Sequence, residues 1–497
     1  MTFRDFAALG MVVALFPAWT GAEEISLSSL VKPVLRPVGA PSQADIALSS
    51  RWPRPINARD PHDALEAIQT FHADRMDWCY VGTNRAFVQK VKQTGLPLFG
   101  TISAELPDGP DVRTRLLGRD QTRTGDVVPN PELAFTVARG DVASVDYREV
   151  VMAHCRAMLD AGVAGIQVDD PGMTYHGAIY AEGGYGEASV AAFLSYLPTK
   201  TDAAERAQWG LPEILTGFDY RAYAEAKGAD LPAPLKQLFL DFHRESLDDF
   251  YGWLRSALDA HAGRHIPLSC NNGSNQRQDE TPYVKHFDFW VGETGLQYGD
   301  PTAKGIFSKS ISAQALGKVQ VYSPPNDGLD RIPTRAGYID LTRKLIATGY
   351  GCGSPTLVPW DVWRRGPETP RFFCTAEEFG DLYDFIDENR VLLDGYELAY
   401  AAGPGMAPWF IDGLDNAPVA VDEGVFVAVR ALPGKPEAPV VIHLVDWREA
   451  GEALTLRIKR PVKSTRLLIP GRPAVESIGD VVRLPPLHPY GMVVMHP

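Results

Sequence analysis

Gly165-Ile166-Gln167-Val168-Asp169-Asp170-Pro171-Gly172 reads as a short strand that stops at a pair of carboxylates. Side chains alternate sides along a strand, so Ile166 and Val168 share one face while Gln167 and Asp169 share the other. Pro171 cannot donate to a ladder and ends the strand. Working outward, comparable apolar runs occur at 45–49, 76–81, 97–103, 266–270, 287–292, 318–323 and 355–359, making eight with 164–169. Helical periodicity fills most of the intervals, at 62–73, 84–94, 147–161, 234–262, 303–317 and 333–349, and recurs after the last strand at 375–393. Eight alternating β and α units predict an α/β chain folded as a (β/α)8 barrel. In that frame Ile166 and Val168 face the helices, and Gln167 and Asp169 face the axis. The connection from Cys270 to Phe287 is short and leaves little room for a full helix.

Two connections are too long for simple loops: one after the third strand, including ELPDGPDVRTRLLGRD, and one after the fourth, from Pro171 to Leu231. Long loops inside a compact domain are uncommon and often functional, and in a barrel these two rise over the carboxyl ends of the strands, where substrates bind. The second carries a helical segment, ASVAAFLSYL, and is expected to form a small cap. From about residue 397 the pattern changes to short apolar runs between turns (GVFVAVRAL, PVVIHLVDW, LTLRIKR, STRLLIP, VVRLPP, YGMVVM), which predict an antiparallel β-sandwich. The expected organisation is a signal peptide over 1–22, a barrel over 23–396 and a β-sandwich domain over 397–497.

The N-terminal expectation rests on an apolar run from Ala7 to Trp19, too short to span a bilayer, followed by Thr20-Gly21-Ala22 as a small-residue cleavage site. It implies export, to a periplasm or the medium. The 497 residues carry a net charge of −14, which disfavours phosphate backbones and anionic lipid heads, so neither nucleic acid nor a membrane surface is an expected partner. The 45 glycines and 40 prolines exceed ordinary usage and imply many turns and long loops. Of the five cysteines, Cys79, Cys155 and Cys270 fall within apolar patterns and read as buried small hydrophobes; Cys352 and Cys374 lie in loop-like surroundings and are open to pairing in an oxidising compartment. None has zinc spacing, and no phosphate loop or nucleophile elbow is present, so no metal or cofactor is expected.

Polar residues at the carboxyl ends of barrel strands are the candidates for chemistry. Asp169 stands at the mouth and Asp170 begins the loop, although an Asp before Pro-Gly also suits a turn. Glu293 ends the sixth strand, Phe287-Asp-Phe-Trp-Val-Gly-Glu293; Asp288 and Trp290 have the opposite phase, so only a bend at Gly292 would aim all three inward. Two carboxyl groups across one cavity are what glycosidic cleavage requires, one protonated toward the leaving oxygen and one attacking or stabilising the oxocarbenium-like centre. The acid must hold its proton near neutrality, and Trp290 is the nearest apolar wall for that purpose. Asn271 and Asn272 after strand five, and Tyr322, Asn326 and Asp327 at the end of strand seven, offer hydrogen bonds for sugar hydroxyls. Trp360, Asp361 and Trp363 follow strand eight, where indoles suit pyranose faces or bury in lid packing. Glu105 after strand three and His176 and Tyr175 after strand four complete the candidate lining. Arg364 and Arg365 suit an acidic sugar or a solvated rim.

On these residues the chain resembles the barrel glycoside hydrolases. GIQVDD is similar to the fourth strand of α-amylase-type enzymes, which implies a nucleophile at Asp169; their arginine two residues earlier is Gln167 here. A fourth-strand aspartate with a sixth-strand acid is also similar to the α-galactosidase-like enzymes. Asp169-Asp-Pro-Gly, Gly183-Gly-Tyr-Gly, Ala192-Phe-Leu-Ser-Tyr-Leu197, Gly217-Phe-Asp-Tyr-Arg221 and the helix LDFHRESLDDFYGWLRSALDAH resemble bacterial β-galactosidase-type proteins and their uncharacterised hydrolase relatives. That comparison puts Asp170 where those enzymes have their acid, in an Asn-Glu pair. The zinc-holding cysteines of some of them are absent. The tail VVIHLVDW is similar to the β-domain that follows many such barrels.

The expectation is therefore a retaining glycosidase acting on an oligo- or polysaccharide, with Asp169 as nucleophile and Glu293 as acid/base, or with Asp170 as the acid. The alternatives are an inverting glycosidase or a transglycosylase at the same site, and a carbohydrate-binding pseudoenzyme.

Overall fold

The computed structural model describes residues 26–50, 64–82, 84–103, 118–128, 139–272, 283–294, 301–325, 332–363, 371–449 and 452–497. The expected signal segment, Glu105, Asn326, Asp327, Arg364 and Arg365 lie outside them. Eight parallel strands form one sheet: β1 (Ala47–Leu48), β2 (Arg75–Cys79), β3 (Leu98–Ser103), β4 (Gly165–Asp169), β5 (Leu268–Cys270), β6 (Phe289–Glu293), β7 (Gln320–Ser323) and β8 (Leu357–Val358). Their spatial order is β7-β6-β5-β4-β3-β2-β1-β8, and a parallel bridge from Tyr322 to Thr356 joins the two ends. This is the (β/α)8 barrel that the alternation predicts. Only a single 3-10 turn, Val284–His286, stands between β5 and β6 among the described residues, in keeping with the shortness of that connection.

The strand phase divides the core in two. Ala47, Trp78, Phe99, Phe289, Val291, Val319, Val321 and Leu357 come from six strands and cluster on the axis, whereas Ile166, Val168, Leu268, Cys270 and Trp290 pack with the helices. A barrel interior is thus a packed core rather than a pore. Within it Arg75 is fully enclosed: its guanidinium bonds the buried Asp77 at 2.8 and 3.0 Å and lies 4.8 and 5.0 Å from the ring centres of Phe99 and Phe289. Pairing and aromatic faces together compensate for the desolvation of that charge.

The two insertions form a joined cap. Helices Met173–Tyr180, Glu187–Lys200, Ala203–Gln208 and Tyr220–Lys227 follow β4. Tyr185, Phe193, Leu197 and Tyr220 of this region form a largely aromatic core with Phe239 and Phe242 of the helix Ala233–Ala262, which at 30 residues is about 45 Å long. Aspartates of the β3 connection fasten the cap. Asp141 accepts from the Ser189 main-chain N at 3.0 Å and from its Oγ at 2.7 Å, and Asp120 accepts from Gly184 N at 2.6 Å.

Asp120 is fully buried, and its Oδ2 has no hydrogen-bond partner among the described residues. Burial pushes its pKa up to about 8, against the partial opposition of the Gly184 N–H. In the unfolded chain the same group ionises near about 3.9. Between those values the unfolded state gives up a proton that the folded state keeps, so folding stability falls as pH rises through that window. Asp120→Asn should flatten the decline, which unfolding midpoints between pH 5 and pH 8 would reveal; an unchanged slope would refute it.

Beyond a short hairpin of β9 (Val362–Trp363) and β10 (Arg371–Phe372), the chain forms β11 (Glu397–Gly403), β12 (Met406–Phe410), β13 (Val419–Val421), β14 (Val425–Ala431), β15 (Val440–Asp446), β16 (Leu454–Ile458), β17 (Ser464–Leu468), β18 (Val475–Ser477), β19 (Val481–Leu484) and β20 (Tyr490–His496). A seven-stranded antiparallel sheet, β12-β11-β14-β15-β20-β17-β18, packs one face on a three-stranded sheet, β13-β16-β19. Its other face sets Phe426, Ala428, Val441 and Met492 against Ile346, Tyr350 and Phe385 of the barrel helices. Both faces being covered explains why β14 and β15 are apolar almost throughout. All five cysteines are buried and unpaired, so Cys352 and Cys374 do not form a bridge.

Candidate active site

The inward phase of β3, β4, β6 and β7 delivers the last side chain of each to the mouth. Register aligns Ser103 with Asp169 and Glu293 with Ser323. Gln167, one layer below Asp169, accepts from Thr101 Oγ1 at 2.8 Å, while its Nε2 and the Oγ of the adjacent Ser269 have no hydrogen-bond partner among the described residues, so the layer under the mouth is polar but only partly paired. Asp169 is held from three directions. Asn271 Nδ2 and the main-chain N of Asp170 each donate to Oδ1 at 2.9 Å, and the Tyr80 hydroxyl donates to Oδ2 in a short hydrogen bond. All three donors fix the orientation of the carboxylate. Glu293 closes β6 on the axis side, where the buried Lys309 donates to its main-chain O at 3.0 Å and fixes the strand end.

Asp170 turns away from the axis. Its backbone is left-handed, with φ +48°, and the carboxylate lies 2.7 Å from Arg139 Nη1 on one oxygen and 3.1 Å from His176 Nδ1 on the other. Burial alone would raise its pKa, but the His176 hydrogen bond and the Arg139 charge outweigh it and hold the group below the usual range. A carboxylate kept ionised in this way is poorly suited to donate a proton.

The structure brings Asp169, Glu293 and Asn271 to the mouth, with His176 beside Asp170, and places several other expected lining residues elsewhere. β6 is regular, so aiming Glu293 inward turns Trp290 into the helix layer, where it provides no wall for the acid. Asp288 precedes β6 at the opposite end of the barrel, bonded to Arg255 and to the Leu268 N–H, each at 2.8 Å. Tyr322 has the outward phase of β7; its hydroxyl donates to Ile306 O at 2.6 Å and lies 2.7 Å from Ser310 Oγ. Asn272, one residue past Asn271, falls on the helix side and exchanges two amide hydrogen bonds with Gln320, at 2.8 and 3.1 Å. Asp361 is buried in a two-pronged ion pair with Arg371, at 2.7 and 2.5 Å. Trp360 is packed edge-on to Phe373 with 5.4 Å between ring centres, so its indole serves the core rather than an open rim. Trp363 lies in β9, paired with Arg371.

The Asn272–Gln320 pair depends on Gly292. A Cβ there would lie 2.0 Å from Asn272 Oδ1 and 3.0 Å from Gln320 Nε2. Gly292→Ala should therefore displace both amides and cost about 1–3 kcal/mol, as overpacking does, with Glu293 shifted one residue away. Denaturant unfolding together with activity at the mouth would check it, and wild-type stability would overturn the account.

Sequence reading passed over two contributors. Tyr80 directly follows β2 and was within reach of the same strand-end rule that finds Asp169. Arg139 comes from the middle of a long connection, and no local pattern aims it at Asp170. Among the described residues no group of His, Cys, Asp and Glu has the makings of a metal site, and no helix is long and apolar enough to cross a membrane.

No protein-family model and no curated protein matches the chain. Solved structures do resemble it. A noncanonic maltogenic α-amylase from Thermotoga neapolitana superposes with a TM-score of 0.53 at 10% identity, covering 92% of this chain and 99% of the other. An Anoxybacillus α-amylase gives 0.53 at 8%, covering 92% and 98%. A catalytic mutant of a GH42 β-galactosidase from G. stearothermophilus gives 0.53 at 10%, covering 92% and 99%. At these identities the likeness is one of fold, and it extends through the barrel and the sheets that follow it.

Proposed function

We propose that this chain is a glycoside hydrolase of the retaining type, with Asp169 as nucleophile and Glu293 as acid/base. One observation carries the reading: an axis-facing carboxylate at the end of β4 is held by Tyr80, Asn271 and a main-chain N–H, with a second carboxyl group on the axis side of β6 at the same mouth. A carboxylate nucleophile needs to be aimed at the reacting carbon, which the three donors provide; the other carboxyl group supplies the proton for the leaving oxygen. Asp170 is engaged by Arg139 and His176, which favours Glu293 over Asp170 as the acid. The α-amylases and the β-galactosidase that share the fold support the reaction class as an analogy of fold. The apolar stretch from Ala7 to Trp19 supports an exported enzyme that meets its carbohydrate outside the cytoplasm.

The test is release of reducing ends from a panel of α- and β-linked glycans, with the anomer of the first product followed by NMR. Retained configuration supports the assignment; inverted configuration would replace it by a water-mediated displacement at the same pair. Binding without turnover across the panel would make the chain a carbohydrate-binding protein instead.

A further inference from the structure

The segment that follows Asp169 is strained, and the strain has a visible product. Asp170 (φ +48°) and Met173 (φ +41°) are both left-handed without being glycine, a conformation that L side chains rarely adopt. Between them Gly172 gives His176 its place: a Cβ on Gly172 would lie 2.0 Å from the imidazole Cγ. His176 Nδ1 is 3.1 Å from Asp170 Oδ1, and Arg139 holds the other carboxylate oxygen. An ionised carboxylate only accepts, so Nδ1 carries a proton toward Asp170 and Nε2 is the ring nitrogen left to meet a ligand. The imidazole is about one-third exposed. Tyr180, one helical turn on, is 79% exposed and meets His176 edge-on at 5.6 Å between ring centres, and the Tyr175 ring lies tilted to the imidazole at 6.3 Å. An oriented imidazole beside an open phenol ring suits a pyranose, whose C–H face packs on an aromatic ring while a hydroxyl, able to donate or accept, hydrogen-bonds the ring nitrogen.

We propose that His176 and Tyr180 form a sugar subsite beside the cleavage point, taking the ring next to the one that reacts at Asp169. The substrate is then an oligosaccharide or polysaccharide rather than a single sugar on a small aglycone. This inference rests on the reading of Asp169 and Glu293 as a glycosidase pair.

The test uses the full chain carrying Asp169→Asn, so that glycans bind without being consumed. An array of gluco-, galacto- and manno-oligosaccharides of one to six units selects the probe, and calorimetry then measures its one-, two- and three-unit forms. Affinity should rise when the second unit is added, and that rise should shrink about tenfold when either His176→Ala or Tyr180→Ala is added, the equivalent of about 1.4 kcal/mol. Tyr180→Phe keeps the ring and should keep most of the rise. Because Tyr180 is exposed, its replacement leaves folding intact and keeps the test decisive should His176→Ala fail to fold. A length dependence unchanged by Tyr180→Ala would overturn the subsite. Full turnover by Asp169→Asn, with the length effect still sensitive to His176 and Tyr180, would instead sink the catalytic assignment and leave the subsite standing. An array on which no glycan binds would remove both.

Discussion

Asp169→Asn should lower turnover by about 10⁴-fold or more while leaving the fold intact, the scale seen when a reacting group is removed from an otherwise complete site. The substitution is nearly isosteric, and Asn keeps an oxygen to accept from Asn271 and from the Asp170 N–H. What it removes is the charge and the nucleophilic oxygen. The loss should be similar for good and poor leaving groups, because no glycosyl ester can form. Glu293→Gln should behave differently. A glycoside whose leaving group needs a proton should lose most of its rate, whereas one with an acidic phenol should form the glycosyl-enzyme at close to the normal rate. Steady-state and burst kinetics on the two substrate types separate the roles. Equal sensitivity of Glu293→Gln to both would exclude it as the acid, and near-wild-type activity of Asp169→Asn would exclude the pair.

The second large effect concerns the seam between barrel and sheet. Arg430, on the barrel-facing side of β14, is wholly buried and donates to the main-chain oxygens of Tyr350 at 3.2 Å, Leu393 at 3.1 Å and Tyr396. Burial lowers its pKa to about 10, with the nearby Glu397 opposing the shift, so the side chain remains a cation at neutral pH. Glu397 itself is nearly buried, and accepts from Val34 N and Gln43 Nε2, each at 3.2 Å. Arg430→Met would strand three carbonyls and take away the main positive charge beside that carboxylate. The expected cost is about 3–5 kcal/mol, the range for breaking a buried charged network from one side. Arg430→Lys should recover only part, since a single ammonium cannot reproduce the planar fork. Denaturant unfolding would measure both, and a loss below about 1 kcal/mol for Arg430→Met would show that the seam is held by apolar packing alone.

The limits of sequence reading have physical causes that particular residues display. Period 2 in a strand fixes relative phase, so Glu293 and Trp290 had to face opposite ways in a regular strand; the sequence could not tell whether Gly292 would bend it. The ladder of β6 is regular, and Glu293 took the axis. Asn271 and Asn272 look equivalent on paper, yet one bonds Asp169 and the other is committed to Gln320 behind the sheet, because they differ by one step of the pleat. The Asp169-Asp170 pair was divided by two contacts from distant or following segments, Arg139 and His176, neither of which a strand pattern contains.

By itself the sequence determined the order of eight strands, the helices between them, the change to antiparallel strands near residue 397 and the arrival of Asp169 and Glu293 at strand ends. Those features follow from local periodicity, which each segment carries alone. Which carboxylate is tied up by Arg139 and His176, which aromatic rings are exposed and where the buried cations find their partners were decided by the tertiary structure. Burial and charge are properties of what surrounds a group, and for Asp170, Trp290 and Arg430 the deciding surroundings come from elsewhere in the chain.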